Sequence, residues 1–296
     1  MHRSPRLLLA FLLLTGSATV QPATRLMASP RQSTQKASLK PVAAKAPDIP
    51  FHDYEIQTEA QLLVLANESR KQAGAQPLTL DNGLSQAART HALAMLQARQ
   101  LSHQFDGEPS LAVRLAGTTA LQLDQEGENV ALDYDADHGH QHLMLSPPHR
   151  ANLLNPAYNV VGLGVVRSGD RLYIVQDFGH ALPNYSATQV KERIAAVVNR
   201  SRHQGGQTEL ARRDLITADD AACSMAHADK LGTAPVHKLA ERSTVLTHTS
   251  LHPETLPNGT NHVILSPRLH TFSIGTCYSR TDTYPPGVYW IVLSLE

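Results

Sequence analysis

The apolar positions change period along the chain. After an uninterrupted apolar run from Leu7 to Leu14, no regular pattern appears until Phe51. From there Leu62, Leu65 and Ala66 recur at helical spacing. Thr58 and Gln61 form a T-x-x-Q capping box that opens this helix, and Gly74 and Pro77 end it. Asp81 is placed to cap a second helix, on which Leu84, Ala88, His91 and Met95 share one face. Ser110 opens a short helix through Leu115. A further helix covers Ala136 to Leu145, stopped by Pro147-Pro148. Val160 to Val166 and Leu172 to Phe178 are β-rich, with Ser168-Gly169-Asp170 as the hairpin turn between them. Helices first and paired strands later predict an α+β sandwich rather than a doubly wound parallel sheet.

The last third repeats this pattern in worn form. Asn199 to Gly206 echoes Asn67 to Gly74, and Ala221 to Ala226 echoes Ala87 to Ala92. Strand-like Ile274 to Ser279 and Val288 to Leu295 correspond to the earlier hairpin. Echoes in the same order at similar separations predict a second, degenerate domain. The expected organisation is a signal peptide over 1–23, a flexible linker over 24–52, a first domain over 53–183 and a smaller α+β domain over 187–296.

The N-terminal expectation comes from His2, Arg3 and Arg6 ahead of the apolar run and the small residues Thr15 to Ala18 behind it, the layout of a secretory signal. The run is shorter than the roughly 20 apolar residues a bilayer span needs. Gln21 to Pro50 is rich in Ala, Pro, Ser, Thr and Lys without periodicity, as a solvated spacer is. Export changes the reading of the two cysteines, Cys223 and Cys277: in an oxidising compartment they are expected to pair. Zero formal net charge, no zinc-finger spacing and no basic stripe broken by aromatics argue against nucleic acid as a partner.

Four segments carry candidate chemistry: Leu101-Ser102-His103, Gly127-Glu128-Asn129-Val130-Ala131, Ser146 through Pro156, and Val161-Gly162-Leu163-Gly164. With Asn67-Glu68-Ser69-Arg70 and Ala87 to Met95, they resemble the CAP superfamily in its bacterial, SCP-like form. That superfamily comprises cysteine-rich secretory proteins, antigen 5 and plant pathogenesis-related proteins. Each motif is weak alone; together, in order across nearly the whole domain, they are specific. The resemblance implies a three-layer α–β–α sandwich with a central cleft faced by two histidines and one or two glutamates. His103, Glu128 and His149 match three of these positions. A second glutamate, found mainly in eukaryotic members, falls near Ser146, so the four-residue site is reduced to three.

The residue types leave three readings open. Two imidazoles and a carboxylate suit Zn²⁺ or another divalent cation, with His103 and His149 as the metal ligands. The same groups suit proton transfer, which makes His103, Glu128 and His149 the catalytic candidates of a metal-dependent hydrolase or peptidase. In the third, purely structural reading the cleft is polar packing in which Glu128 simply holds the two histidines by hydrogen bonds. As a recognition site, with or without a metal, His103, Glu128, His149 and Ser146 line a cleft for a small molecule, such as a lipid or a cell-envelope fragment. Loss of the second glutamate and lack of a clear nucleophile place binding above catalysis. A structural or interaction protein at the cell surface is the remaining alternative. His91 is expected to be a satisfied core histidine. His138 and His142, four apart on one helix, read as a solvated face with a metal role as the sharper option. Arg150 and Asn152 are expected to hold their loop, and Gly162 and Gly164 to allow close packing. His270, in a faint echo of the first domain's Leu145 to Arg150, is given no site role.

Overall fold

Two four-stranded sheets, each covered by helices on both faces, make up this computed structural model, which describes residues 54–296. The expected signal peptide and linker lie outside the described residues. In the first part α1 (Ile56–Gln72), β1 (Thr79–Leu80), α2 (Asn82–Ala98) and α3 (Leu111–Thr118) precede β2 (Leu123–Asp133). Then come α4 (Ala136–Leu145), α5 (Pro147–Leu154), β3 (Val160–Ser168) and β4 (Arg171–Ala181). The strand order is β1-β3-β4-β2, with β1 parallel to β3 and the other pairs antiparallel. Alternate residues of β3 face opposite layers, as the period of a strand requires. Val161, Leu163 and Val165 pack with α1, α4 and α5, while Val160 and Val166 pack on the side of α2. The class is therefore α+β, as an α–β–α sandwich.

Local differences from the sequence expectations have physical causes. The first helix begins earlier than the T-x-x-Q motif, with Glu55 as its N-cap; Thr58 lies inside it and donates to Glu55 at 3.3 Å. Asp81 does cap α2, accepting from the Leu84 amide at 2.8 Å. The third helix runs on to Thr118 without a side-chain cap from Ser110. Pro147-Pro148 ends α4 and also opens α5, because a proline lacks only an amide that the first helical turn leaves unpaired anyway. The strand β2 was hidden because its sequence, Leu-Asp-Gln-Glu-Gly-Glu-Asn-Val-Ala-Leu-Asp, does not alternate; it is an edge strand, solvated along part of its length.

Gly162 and Gly164 are the close-approach positions they were expected to be. A Cβ on either would run into the α2 backbone, at Leu84 and Ala88 respectively. Overpacking of this kind typically costs about 1–3 kcal/mol. Gly164→Ala is expected to cost at least that much, read as a lower urea midpoint with unchanged slope.

The second part contains α6 (Ala187–Gln204), β5 (Ala211–Arg212), α7 (Ile216–Ala228), α8 (Ala234–Ala240) and β6 (Thr244–Ser250). It continues through α9 (Thr260–Ile264), β7 (Thr271–Ser279) and β8 (Val288–Leu295). Its sheet order, β5-β7-β8-β6, repeats the first. The likeness extends to single contacts. Asn67 exchanges two hydrogen bonds with the Leu78 backbone, and Asn199 does the same with Leu210. Arg70 and Arg202, both wholly buried, donate to backbone carbonyls at matching places. One ion pair is present with its charges exchanged. Glu59 on α1 pairs with Arg89 on α2 at 2.5 Å and accepts from the Val165 amide at 3.2 Å. Lys191 on α6 pairs with Asp219 on α7 at 2.7 Å, and Asp219 accepts from the Thr276 amide at 3.0 Å. In both parts a carboxylate satisfies the same buried strand amide, supplied from opposite helices.

Cys223 on α7 and Cys277 on β7 form a disulfide, with Cα atoms 5.0 Å apart. Closing a loop of 54 residues typically stabilises a domain by about 2–5 kcal/mol. The Cys223→Ser/Cys277→Ser variant is expected to lose that amount in chemical unfolding.

Candidate functional site

The site forms around β2, the edge strand, where the two helical layers meet. Glu128 projects to the α2–α3 side, with only 4% of its side-chain surface exposed. Its Oε1 accepts from Nδ1 of His103 at 2.8 Å. Its Oε2 accepts from Nη2 of Arg114, which is carried on α3. The ring of His103 is 61% exposed, so with Nδ1 committed to Glu128 its Nε2 is the atom offered to the surroundings. Arg114 also donates to the His103 carbonyl at 3.1 Å and pairs with Glu108 at 3.0 Å, fixing the loop that carries His103. His91 is buried as expected. Its Nε2–H donates to the Ser102 carbonyl at 2.8 Å, and its Nδ1 faces Glu108 at 2.7 Å and Arg114 at 3.1 Å.

His149 approaches from α5, in the other layer. Its carbonyl accepts from Asn129 at 3.1 Å, and Asn152 ties the same helix to β2 through the Glu128 carbonyl and the Asn129 side chain. Burial holds the His149 imidazole below its ordinary pKa, and the nearby charge of His103 adds to this. No hydrogen bond is formed by the His149 ring with the described residues. Ser146 sits at the joint between α4 and α5, where only its backbone is bonded, to His142 and Arg150.

The sequence reading missed two members of this network. Arg114 is its central cation. Asp177 lies opposite Glu128 in the β2–β4 register and is completely buried. Burial raises its pKa well above the usual carboxylate range; the charge of Glu128 raises it further and Arg114 opposes them. Neither carboxyl oxygen of Asp177 has a hydrogen-bond partner among the described residues, so burial without compensation is what disfavours its charged form. A signal was present: Gln176-Asp177 is a polar pair inside a strand that is otherwise apolar from Leu172 to Phe178.

The donor set does not fit a three-ligand metal site. Both oxygens of Glu128 are taken by His103 and Arg114, leaving the two imidazoles. Among the described residues no group of three or more His, Cys, Asp or Glu is arranged to hold an ion. His138 and His142 are exposed and hold Asp135 and Asp133 at 2.9 and 2.6 Å. An open groove of about 570 Å³ lies elsewhere, along α1 between Leu63, Val64, Lys71 and Pro77, and contains none of the site histidines.

Three half-buried or buried histidines outside ion pairs, His140, His149 and His248, are held below the ordinary value of 6.5, chiefly by burial. A group that binds its proton less readily when folded contributes stability above the unfolded pKa and loses it as the pH falls toward the folded value. Asp177, whose pKa burial raises, acts in the opposite direction. Comparing wild type with His140→Gln isolates one contribution. The wild type's advantage in unfolding free energy is expected to shrink as the pH drops from 7 toward 5.

Residues 63–178 match the model of the Cysteine-rich secretory protein family, CAP, and this part of the chain is a CAP domain. The uncharacterized protein YkwD of Bacillus subtilis is 31% identical over 114 residues, a match covering 38% of this chain and 43% of that protein. An extracellular protein containing an SCP domain from Bacillus anthracis is 26% identical, with a TM-score of 0.38 over 42% of this chain and 41% of its own. An outer surface protein of Borrelia burgdorferi is 18% identical, with a TM-score of 0.40 over 43% of this chain and 94% of its own. The chain thus spans less than half the length of the two Bacillus relatives. No described helix is long and apolar enough to cross a membrane.

Proposed function

We propose that this is an exported CAP-domain protein that binds a small ligand, a lipid or a cell-wall fragment, between His103 and His149. The observation that carries the reading is the commitment of Glu128. It is tied to His103 and Arg114, so it orients an imidazole instead of acting on a substrate. Its Nδ1 bond to Glu128 leaves the His103 Nε2 as a fixed hydrogen-bonding point, and the unpartnered His149 ring is a second. Peptide hydrolysis needs an activated nucleophile as well, and Ser146 has no side-chain bond to the imidazoles. Export is supported by the apolar run Leu7 to Leu14 and by the disulfide. Relatives described as extracellular and outer-surface proteins add to this.

The second part we read as a degenerate copy of the first that keeps the scaffold without the site. Aligning the paired strands on Gly164 and Gly275 puts Val245 and Ser294 where Glu128 and Asp177 stand.

Native mass spectrometry of tag-free protein tests the ligand reading. The protein is exposed to a bacterial phospholipid extract and, separately, to muramidase-digested peptidoglycan. An adduct from one of them, lost in His103→Ala/His149→Ala, is expected. No adduct from either, or an adduct that survives the double substitution, contradicts the reading. Peptide cleavage at about 1 s⁻¹ or faster that the same variant abolishes would establish the hydrolase instead.

A further inference from the structure

The second part of the chain, read above as a copy that lacks the equivalents of Glu128 and Asp177, grips the segment on which the first part's site is built. Arg280, beyond β7, donates to the Ala116 carbonyl, to the Thr119 carbonyl at 2.7 Å and to the Leu121 carbonyl at 3.1 Å. These are carbonyls of the last turn of α3 and of its exit toward β2, which a helix end leaves without intrahelical partners. A cation there also opposes the helix dipole. Further along, His252 reaches Asp124 on β2 with Nε2 at 3.1 Å, while His180 holds the other oxygen of Asp124 at 2.6 Å. The stretch held at both ends joins Arg114 on α3 to Glu128 on β2, the two groups that fix His103.

The arm carrying Arg280 is itself anchored. Thr281 and the Thr283 amide donate to Asp229, which ends α7, at 2.6 and 2.8 Å. Three residues before Arg280 the disulfide ties Cys277 to Cys223 on the same helix. Isolated helices shorter than about 12 residues are marginal in water, and α3 has 8. Its position therefore depends on what holds it.

We infer that Arg280 and His252 are positioning residues through which the second part sets the Arg114–Glu128–His103 geometry. This rests on the reading of that geometry as the ligand site and gives the degenerate copy a task. Arginine suits it because its planar fork reaches several carbonyls at once, which a lysine does not.

The test uses the full chain and needs no ligand, so it is independent of whether the cleft binds lipid or cell-wall material. Long-range ¹H–¹⁵N spectra report the tautomer of each imidazole. Hydrogen exchange reports α3 through the Thr119 amide, which donates to the Leu115 carbonyl at 3.0 Å. Arg280→Ala, and more so Arg280→Ala/His252→Ala, is expected to turn His103 from one Nδ1–H form into a mixture. Exchange at Thr119 should rise by about tenfold. Arg280→Lys restores little. Lys191→Ala, which removes an ion pair within the second part, is the control and leaves both readouts unchanged. A wild-type His103 tautomer in the double variant, with or without a lower melting temperature, overturns the inference. Should the double variant not fold, Arg280→Gln is read by the same two signals and the same criterion.

Discussion

Glu128→Ala is expected to cost about 3 kcal/mol, the lower end of what removing one partner of a buried ion pair takes. The cost arises because Arg114 and Asp177 are both buried around the missing carboxylate. Arg114 keeps Glu108 at 3.0 Å, and removing the Glu128 charge takes away one of the causes that raise the Asp177 pKa, so Asp177 can more readily serve as the anion beside Arg114. These two responses hold the loss to the lower end. They also predict that Glu128→Ala/Asp177→Asn loses more than the sum of the single changes, because the second substitution removes the replacement anion. Chemical unfolding at neutral pH measures all three variants. Glu128→Gln, which keeps the shape but not the charge, is expected to lose less than Glu128→Ala and to release His103 from the single Nδ1–H form, because an amide can donate to the ring as well as accept from it.

Arg70→Ala is expected to be the most damaging single change in the first part, at about 4 kcal/mol or more, the exceptional end of point substitutions. The wholly buried guanidinium donates to the carbonyls of Gln76, Leu153, Asn155 and Tyr158, at 2.7 to 2.9 Å. It thereby joins the end of α1 to the loop after α5, the helix that presents His149. Truncation strands those acceptors and leaves a cavity. Arg202→Ala should be comparably severe in the second part, where Arg202 bonds Thr208, Ile264 and Ser266. Equal losses at the two arginines would show that the repeated contact does the same work in both parts. A loss below about 1 kcal/mol at either, a value typical of an exposed hydrogen bond, would show that it does not.

The sequence was most informative where periodicity and chemistry coincide. Leu84, Ala88, His91 and Met95 recur at helical spacing and are all buried, and Gly162 and Gly164 lie against that helix. The pairing of Cys223 with Cys277 followed from compartment and layout. Edge strand β2 escaped notice because part of it is solvated and its apolar positions do not alternate. The two prolines were read as a stop when they are also a start. The site was legible as residue types but not as bonding. Nothing in Gly127-Glu128-Asn129 says that the carboxylate is consumed by His103 and by an arginine 14 residues earlier. That assignment depends on the fold bringing α3 onto β2.

In the proposed site Glu128 holds His103 through Nδ1 so that Nε2, with His149, meets the ligand. The most direct measurement is the imidazole ¹⁵N spectrum of the intact protein, recorded alone and with the lipid or muropeptide fraction it retains. The account predicts an Nδ1–H tautomer at His103 before addition. On addition, the resonances of His103 and His149 should move while those of His138 and His142 stay in place. An Nε2–H tautomer at His103, or resonances of His103 and His149 unmoved by a retained fraction, would contradict it.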